Sequence, residues 1–283
     1  MVEGNSRLKI TVLQAGYCTC PEHLAIRGGA WHGIPFPAMF ALFEHPRFGP
    51  MLFDTGYSYR FFDETRMFPK SLYRCLTPVT LREDQLAVNQ LSTRNLRPSD
   101  ITHVFISHFH ADHIAALADF DKARYVYLPQ AYEAVRHKRG PAAVMRGFLS
   151  GLIPRDFEAR SMPVDMTRPR SLPPEYAPFN KGYDLLGDGS LLAVELPGHA
   201  TGQMGILARD GMDQAFFFVA DAAWLAQAIV EDRPPHALTD LLFADPKAYR
   251  VTLSDLHTVR LNQPGLHLIP SHCAETLAHI IST

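Results

Sequence analysis

Seven consecutive residues constrain this chain more than any others: Ser107-His108-Phe109-His110-Ala111-Asp112-His113. Four side chains able to hold a metal fall within six positions. Ahead of them, Ile101-Thr102-His103-Val104-Phe105-Ile106 is apolar and rich in β-branched residues, which predicts a buried strand. Behind them, Ile114-Ala115-Ala116-Leu117-Ala118 predicts the start of a helix. In an extended segment His108 and His110 point to the same side. Asp112 and His113 fall where strand gives way to helix and turn toward a second point nearby. The spacing therefore predicts two neighbouring ligand clusters at the tip of one strand. Imidazole and carboxylate suit zinc, iron or manganese, and the donor set alone does not choose among them. One histidine at a strand end is ordinarily only a polar tip; three with an aspartate in H-x-H-x-D-H order form a metal pattern.

That order resembles the signature of the metallo-β-lactamase superfamily. The resemblance implies an α/β fold, a four-layer αβ/βα sandwich of two mixed β-sheets flanked by helices, with metals at one edge. It also implies three further ligands later in the chain.

Size and charge narrow the function. The 283 residues are read as a single domain over 1–283, with 47% apolar residues to fill its core. A net charge of −2 without a basic block argues against a nucleic-acid partner. No apolar run reaches membrane-spanning length. Cys18, Cys20, Cys75 and Cys273 suggest no disulfide framework, and Met1 to Arg7 lack the apolar core of a signal peptide. The expectation is a cytoplasmic protein with reduced thiols.

Along the chain, residues 8–13 alternate as a first strand, and Gly16 to Pro21 is expected to break it. Residues 21–35 carry Gly28, Gly29, Gly33 and Pro35 and read as a loop whose Trp31, Ile34 and Phe36 are candidates to line a pocket. Residues 37–43 and 49–54 read as paired strands, the second ending in Asp54-Thr55-Gly56. Residues 57–80 read as a loop-and-helix excursion near the site, 81–96 as an amphipathic helix, 124–128 as a strand and 130–137 as a helix. From 141 to 183 the proline density is poorly compatible with regular structure, with a helix surviving over 142–152. This stretch reads as an insertion covering the active site. Strands follow at 184–186 and 190–196, then at 214–220 and 266–269.

The resemblance supplies the rest of the ligand set. Pro197-Gly198-His199-Ala200-Thr201-Gly202 matches the family's P-G-H-x-x-G element, whose histidine binds the first metal. Asp221, after the apolar strand Gln214 to Ala220, matches the bridging aspartate. His272 matches the final histidine, with Cys273 beside it as a neighbour only. His108, His110 and His199 would hold one divalent ion, Asp112, His113 and His272 a second, and Asp221 would bridge them. Asp54 would hydrogen-bond a ligand from beneath. The cofactor expected is a pair of divalent ions, zinc first, with iron or manganese as alternatives.

Two such ions activate a bridging hydroxide that attacks a polarised carbonyl, with Asp112 carrying the proton to the leaving group. Within the superfamily the sequence is most similar to the N-acyl homoserine lactonases. That similarity implies hydrolysis of a lactone or ester, with a small acyl substrate as partner and room for a homodimer. Two positions depart from that branch. Trp224 stands where its members have the tyrosine that polarises the lactone carbonyl, and is carried over as a catalytic candidate; Ala111 replaces a bulky aromatic. The alternatives are a glyoxalase II-like thioesterase or β-lactam hydrolase, and a metal- or ligand-binding protein without turnover. No basic cluster of the kind an anionic thiol ester calls for stands out in the sequence.

Overall fold

The structure, a computed structural model, describes residues 8–282. Thirteen strands form two mixed sheets among these residues. The first sheet has the order β4-β1-β2-β3-β5-β6-β7. Its members are β1 (Lys9–Pro21), β2 (Gly33–His45), β3 (Gly49–Phe53), β4 (Val79–Thr80), β5 (His103–Phe105), β6 (Arg124–Tyr127) and β7 (Ser161–Pro163). The second runs β13-β12-β11-β10-β9-β8. It consists of β8 (Arg170–Ser171), β9 (Lys181–Asp184), β10 (Leu191–Glu195), β11 (Met204–Arg209), β12 (Ala215–Ala220) and β13 (His267–Pro270).

Each sheet is antiparallel in one part and parallel in the other: β3, β5, β6 and β7 are parallel neighbours, as are β12 and β13. Strands buried on both faces read as continuous apolar runs, which is why β12 (AFFFVA) is buried throughout. Phe43 of β2 and Phe53 of β3 meet Phe218 of β12 at ring-centroid distances of 5.4 and 5.9 Å, so these side chains join the two sheets. Phe218→Ala would cost about 3–5 kcal/mol by opening a cavity between them. Outside the second sheet, helix Pro246–Asn262 buries Tyr249, Leu253, Leu256 and Val259 on one stripe. Asp245 caps it, accepting from the Lys247 and Ala248 amides. Two mixed sheets flanked by helices are the sandwich expected from the sequence.

Several local expectations are corrected. Gly16 does not end the first strand: at φ +74° it accommodates a bulge between Gln14 and Tyr17, and β1 runs on to Pro21, paired with β2. Residues 21–35 are not all loop, since Glu22–Ala25 is helical and β2 begins at Gly33. The helix expected over 81–96 shrinks to Ala87–Ser92, because Leu86 is extended with ψ 136° and splits it from the turn at Glu83–Gln85. The helix after the motif starts at Ala111, three residues early, and that over 130–137 spans only Pro129–Glu133. The helix expected over 142–152 reduces to Gly140–Val144 and a turn at Ser150–Leu152. The proline-rich stretch is also not without strands. It supplies β7 to the rim of the first sheet and β8 to the rim of the second. Edge positions are where a strand tolerates a residue lacking an N–H.

Candidate metal centre

The strand ends converge on one edge. His108 and His110 follow β5, and Asp112 and His113 lie on the short helix Ala111–Ile114. His199 follows β10, Asp221 follows β12 and His272 follows β13. Ligand atoms of His108, His110, His199 and Asp221 lie within 4.8 Å of one another, and those of Asp112, His113 and His272 form a second such group. Asp221 touches both. Its Oδ2 is 3.2 Å from His199 Nε2 and 3.1 Å from His272 Nε2, while Oδ1 is 3.3 Å from His113 Nε2. Asp112 Oδ2 lies 3.4 Å from His272 Nε2 and 3.6 Å from His113 Nε2. All seven residues named from the sequence are brought together.

The backbone is bent to allow this. Gly198, before His199, has φ +131°, and a Cβ there would sit 2.2 Å from the Tyr249 amide nitrogen. Asp54 and Ala220 adopt left-handed φ of 60° and 49°, a conformation costly for residues with a Cβ and typical of sites held by their surroundings. The Asp54-Thr55-Gly56 turn clamps the motif helix from below. Thr55 N–H and Oγ1–H both donate to His113 O, and Thr55 Oγ1 accepts the Ala116 amide. Ser58 Oγ donates to Ala115 O.

Hydrogen bonds on the far side of three rings aim their other nitrogens inward. Asp54 Oδ2 accepts from His113 Nδ1 at 2.8 Å and from Ser107 Oγ at 2.7 Å, and Oδ1 accepts the Ser107 amide. Ser107 Oγ in turn lies 3.0 Å from His108 Nδ1, and Pro37 O lies 2.8 Å from His272 Nδ1. With Nδ1 carrying the proton in each, Nε2 presents a lone pair to the centre, the arrangement that orients and strengthens a metal-binding histidine. His110 and His199 have no such prop. Instead His110 Nδ1 faces His199 Nε2 at 3.0 Å.

Burial pushes the pKa of His108 and His199 well below the usual histidine range, and that of His110 down to about 4, so these rings are neutral and ligand-competent. Burial opposes charge on His113 as well, but Asp112, Asp54 and Asp221 outweigh it and raise its pKa, so an ion bound there would take the place of the Nε2 proton and free that lone pair. Asp221, though desolvated, is held well below the carboxylate range by His272, His113 and His199. His108 Nε2, His113 Nε2 and Asp221 Oδ1 are buried without a hydrogen-bond partner. Buried polar atoms are almost always satisfied. Orphaned lone pairs converging on one point fit divalent cations, so the residues present suit the metals that the motif implies.

Trp224 is expected at the substrate carbonyl. Its indole N–H, the only donor it has, is directed to Asp221 Oδ2 at 3.0 Å, and its ring packs between Phe36 and Phe243. Of the loop residues expected to line a pocket, Phe36 is buried against His272, whereas Trp31 is 80% exposed and stacks on His23. Cys273 accepts the Ala226 amide, outside both ligand groups. Sequence reasoning missed the Pro37 carbonyl, which no sequence displays, and Gly147, whose absent Cβ would lie 2.7 Å from the His110 ring.

The chain belongs to the metallo-β-lactamase superfamily: the Metallo-beta-lactamase superfamily profile matches residues 48–260. Among characterised relatives, N-acyl homoserine lactonase AttM of Azorhizobium caulinodans is 28% identical over 220 residues, 77% of each chain, and AttM of Agrobacterium fabrum matches to the same extent. Among solved structures, an N-acyl homoserine lactone hydrolase with N-hexanoyl-L-homoserine bound at its catalytic metal centre superposes with a TM-score of 0.74 at 16% identity, covering 97% of this chain and 96% of that one. AidC, a dizinc quorum-quenching lactonase in complex with a product, gives 0.65 at 15% identity over 94% and 88% of the two chains. At such identities the structures speak for the fold.

Proposed function

We propose that this protein is a dinuclear metal-dependent hydrolase that opens a lactone or related ester. The observation that carries the reading is the convergence of seven buried or half-buried side chains into two ligand groups sharing Asp221. The AttM relatives, named as N-acyl homoserine lactonases, support the lactone as the bond type.

In this reading His108, His110 and His199 would hold one ion and Asp112, His113 and His272 the other, with Asp221 within reach of both. Such ions would supply an activated water and polarisation of the substrate carbonyl. Asp112, at the edge of its group, accepts the proton of the attacking water and delivers it to the departing alkoxide. Trp224 fixes the rotamer of Asp221 through its N–H, so that both carboxylate oxygens stay directed at the histidines. The segment 141–183 closes over the site, supported by the Gly147 carbonyl accepting the Ala111 amide and by Phe148, Leu149 and Phe157 buried in the main core. Zinc is the ion favoured by a histidine-rich nitrogen and carboxylate set, and a dizinc lactonase shares the fold. Four free cysteines support a reducing, cytoplasmic setting.

The test is a panel of lactones, thioesters and β-lactams assayed after stripping and reconstitution with zinc, manganese or iron. Lactone turnover restored by metal is expected. Turnover confined to thioesters or β-lactams, or none with any metal, would overturn the reading.

A further inference from the structure

The unpropped histidines face a cavity. A space of about 210 Å³ opens from His110 and His199, with Val135 and Leu242 among its apolar walls. Lys138 and Arg146 also line it, and no carboxylate does. Neither cation has an ion-pair partner among the described residues, whereas the neighbouring Arg136 and Arg160 are paired with Glu133 and Asp156. Arg146 is held in register with the centre. It directly precedes Gly147, whose backbone abuts the His110 ring and whose carbonyl accepts the Ala111 amide at 2.9 Å. The two cations flank the short helix Gly140–Val144. Two like charges on one small concavity repel each other and raise the local concentration of anions.

We propose that the substrate is a lactone or ester bearing its own anionic group, which sits between Lys138 and Arg146 while the carbonyl lies at His110 and His199. This rests on the hydrolase reading and narrows it. The two cations and the absence of a carboxylate on its walls suit this space to an acid-bearing chain. Hydrolysis remains balanced: the water oxygen bonds to the carbonyl carbon, the ring C–O bond breaks, and the alkoxide takes the proton by way of Asp112. The product gains a second anionic group.

Calorimetry on the zinc-loaded protein separates this from the underlying reading. Glutarate carries one carboxylate for the ions and one for the cations, while monomethyl glutarate has the same acid backbone, one methyl longer, and only one carboxylate. Glutarate is expected to bind at least tenfold more tightly, with the ratio reduced in K138Q and in R146Q and near one in the double variant. A ratio near one in the wild type, or one unchanged in the double variant, overturns the proposal. Arg146 is exposed, so R146Q alone is a variant whose folding is not at issue. Turnover of 5-oxotetrahydrofuran-2-carboxylate, a lactone bearing a carboxylate, measured separately, tests the hydrolase reading. If it fails while the glutarate preference stands, the hydrolase reading falls and the anion seat alone is left; if it is turned over while glutarate shows no preference, the anion seat falls and the hydrolase reading stands.

Discussion

The two sides of the centre are built differently. On the supported side, His108, His113 and His272 each present Nδ1 to an oxygen acceptor: Ser107 Oγ, Asp54 Oδ2 and Pro37 O. On the cavity side, His110 and His199 have no acceptor behind them and face each other at 3.0 Å. Packing and Asp221 position this pair: Gly147 lies against His110, Trp224 and Phe243 lie 5.7 and 5.6 Å from His199, and Asp221 Oδ2 is 3.2 Å from His199 Nε2. The supported side is therefore held by hydrogen bonds to oxygen within the protein, while the cavity side has none behind its rings. It is also the side that borders the cavity.

Four substitutions sharpen the contrast. The largest effect is expected for His110→Ala, which removes a donor with no substitute nearby. Hydrolysis should fall to background and bound metal should drop toward one equivalent per chain by elemental analysis. Retention of two equivalents would take His110 out of the ligand set. Asp54→Asn comes next. Asp54 accepts three hydrogen bonds, and an amide would turn an N–H₂ toward one of those donors. Metal affinity should fall by about 10–100-fold in a chelator competition. An unchanged affinity would mean that packing, not Asp54, orients His113. Trp224→Phe removes one donor from a buried carboxylate, and kcat/KM should fall about tenfold, as for loss of a charge-assisted hydrogen bond. Loss of kcat with KM unchanged would fit a role through Asp221; a pure rise in KM would place the indole against substrate. Gly147→Ala is the smallest. The new Cβ meets the His110 ring at φ +63°, and thermal unfolding should show a loss of about 1 kcal/mol or more.

The convergence of the seven side chains was legible because metal chemistry demands particular side chains at particular spacings, and because each follows a strand whose apolar run is itself readable. Asp54 was legible through the Asp-Thr-Gly turn, and the paired strands on either side of His45 through their alternation and the turn between them. Helix ends were less so. The motif helix begins at Ala111 because Asp54-Thr55 grips it from another strand, a long-range contact with no local signal. The extended backbone at Leu86 and the bulge at Gly16 are likewise imposed by packing. Trp224 shows the limit of reasoning by position: a matching place in the chain fixed its neighbourhood but not the direction of its one hydrogen. Lys138 and Arg146 became a pair only once the chain between them turned back on the site.

The most direct measurement is a titration of zinc into chelator-stripped protein with lactone turnover followed alongside. Two ligand groups sharing Asp221 require activity to rise to its plateau at two equivalents per chain. A plateau at one equivalent, or full turnover in protein holding none, would contradict the paired centre on which the function is built.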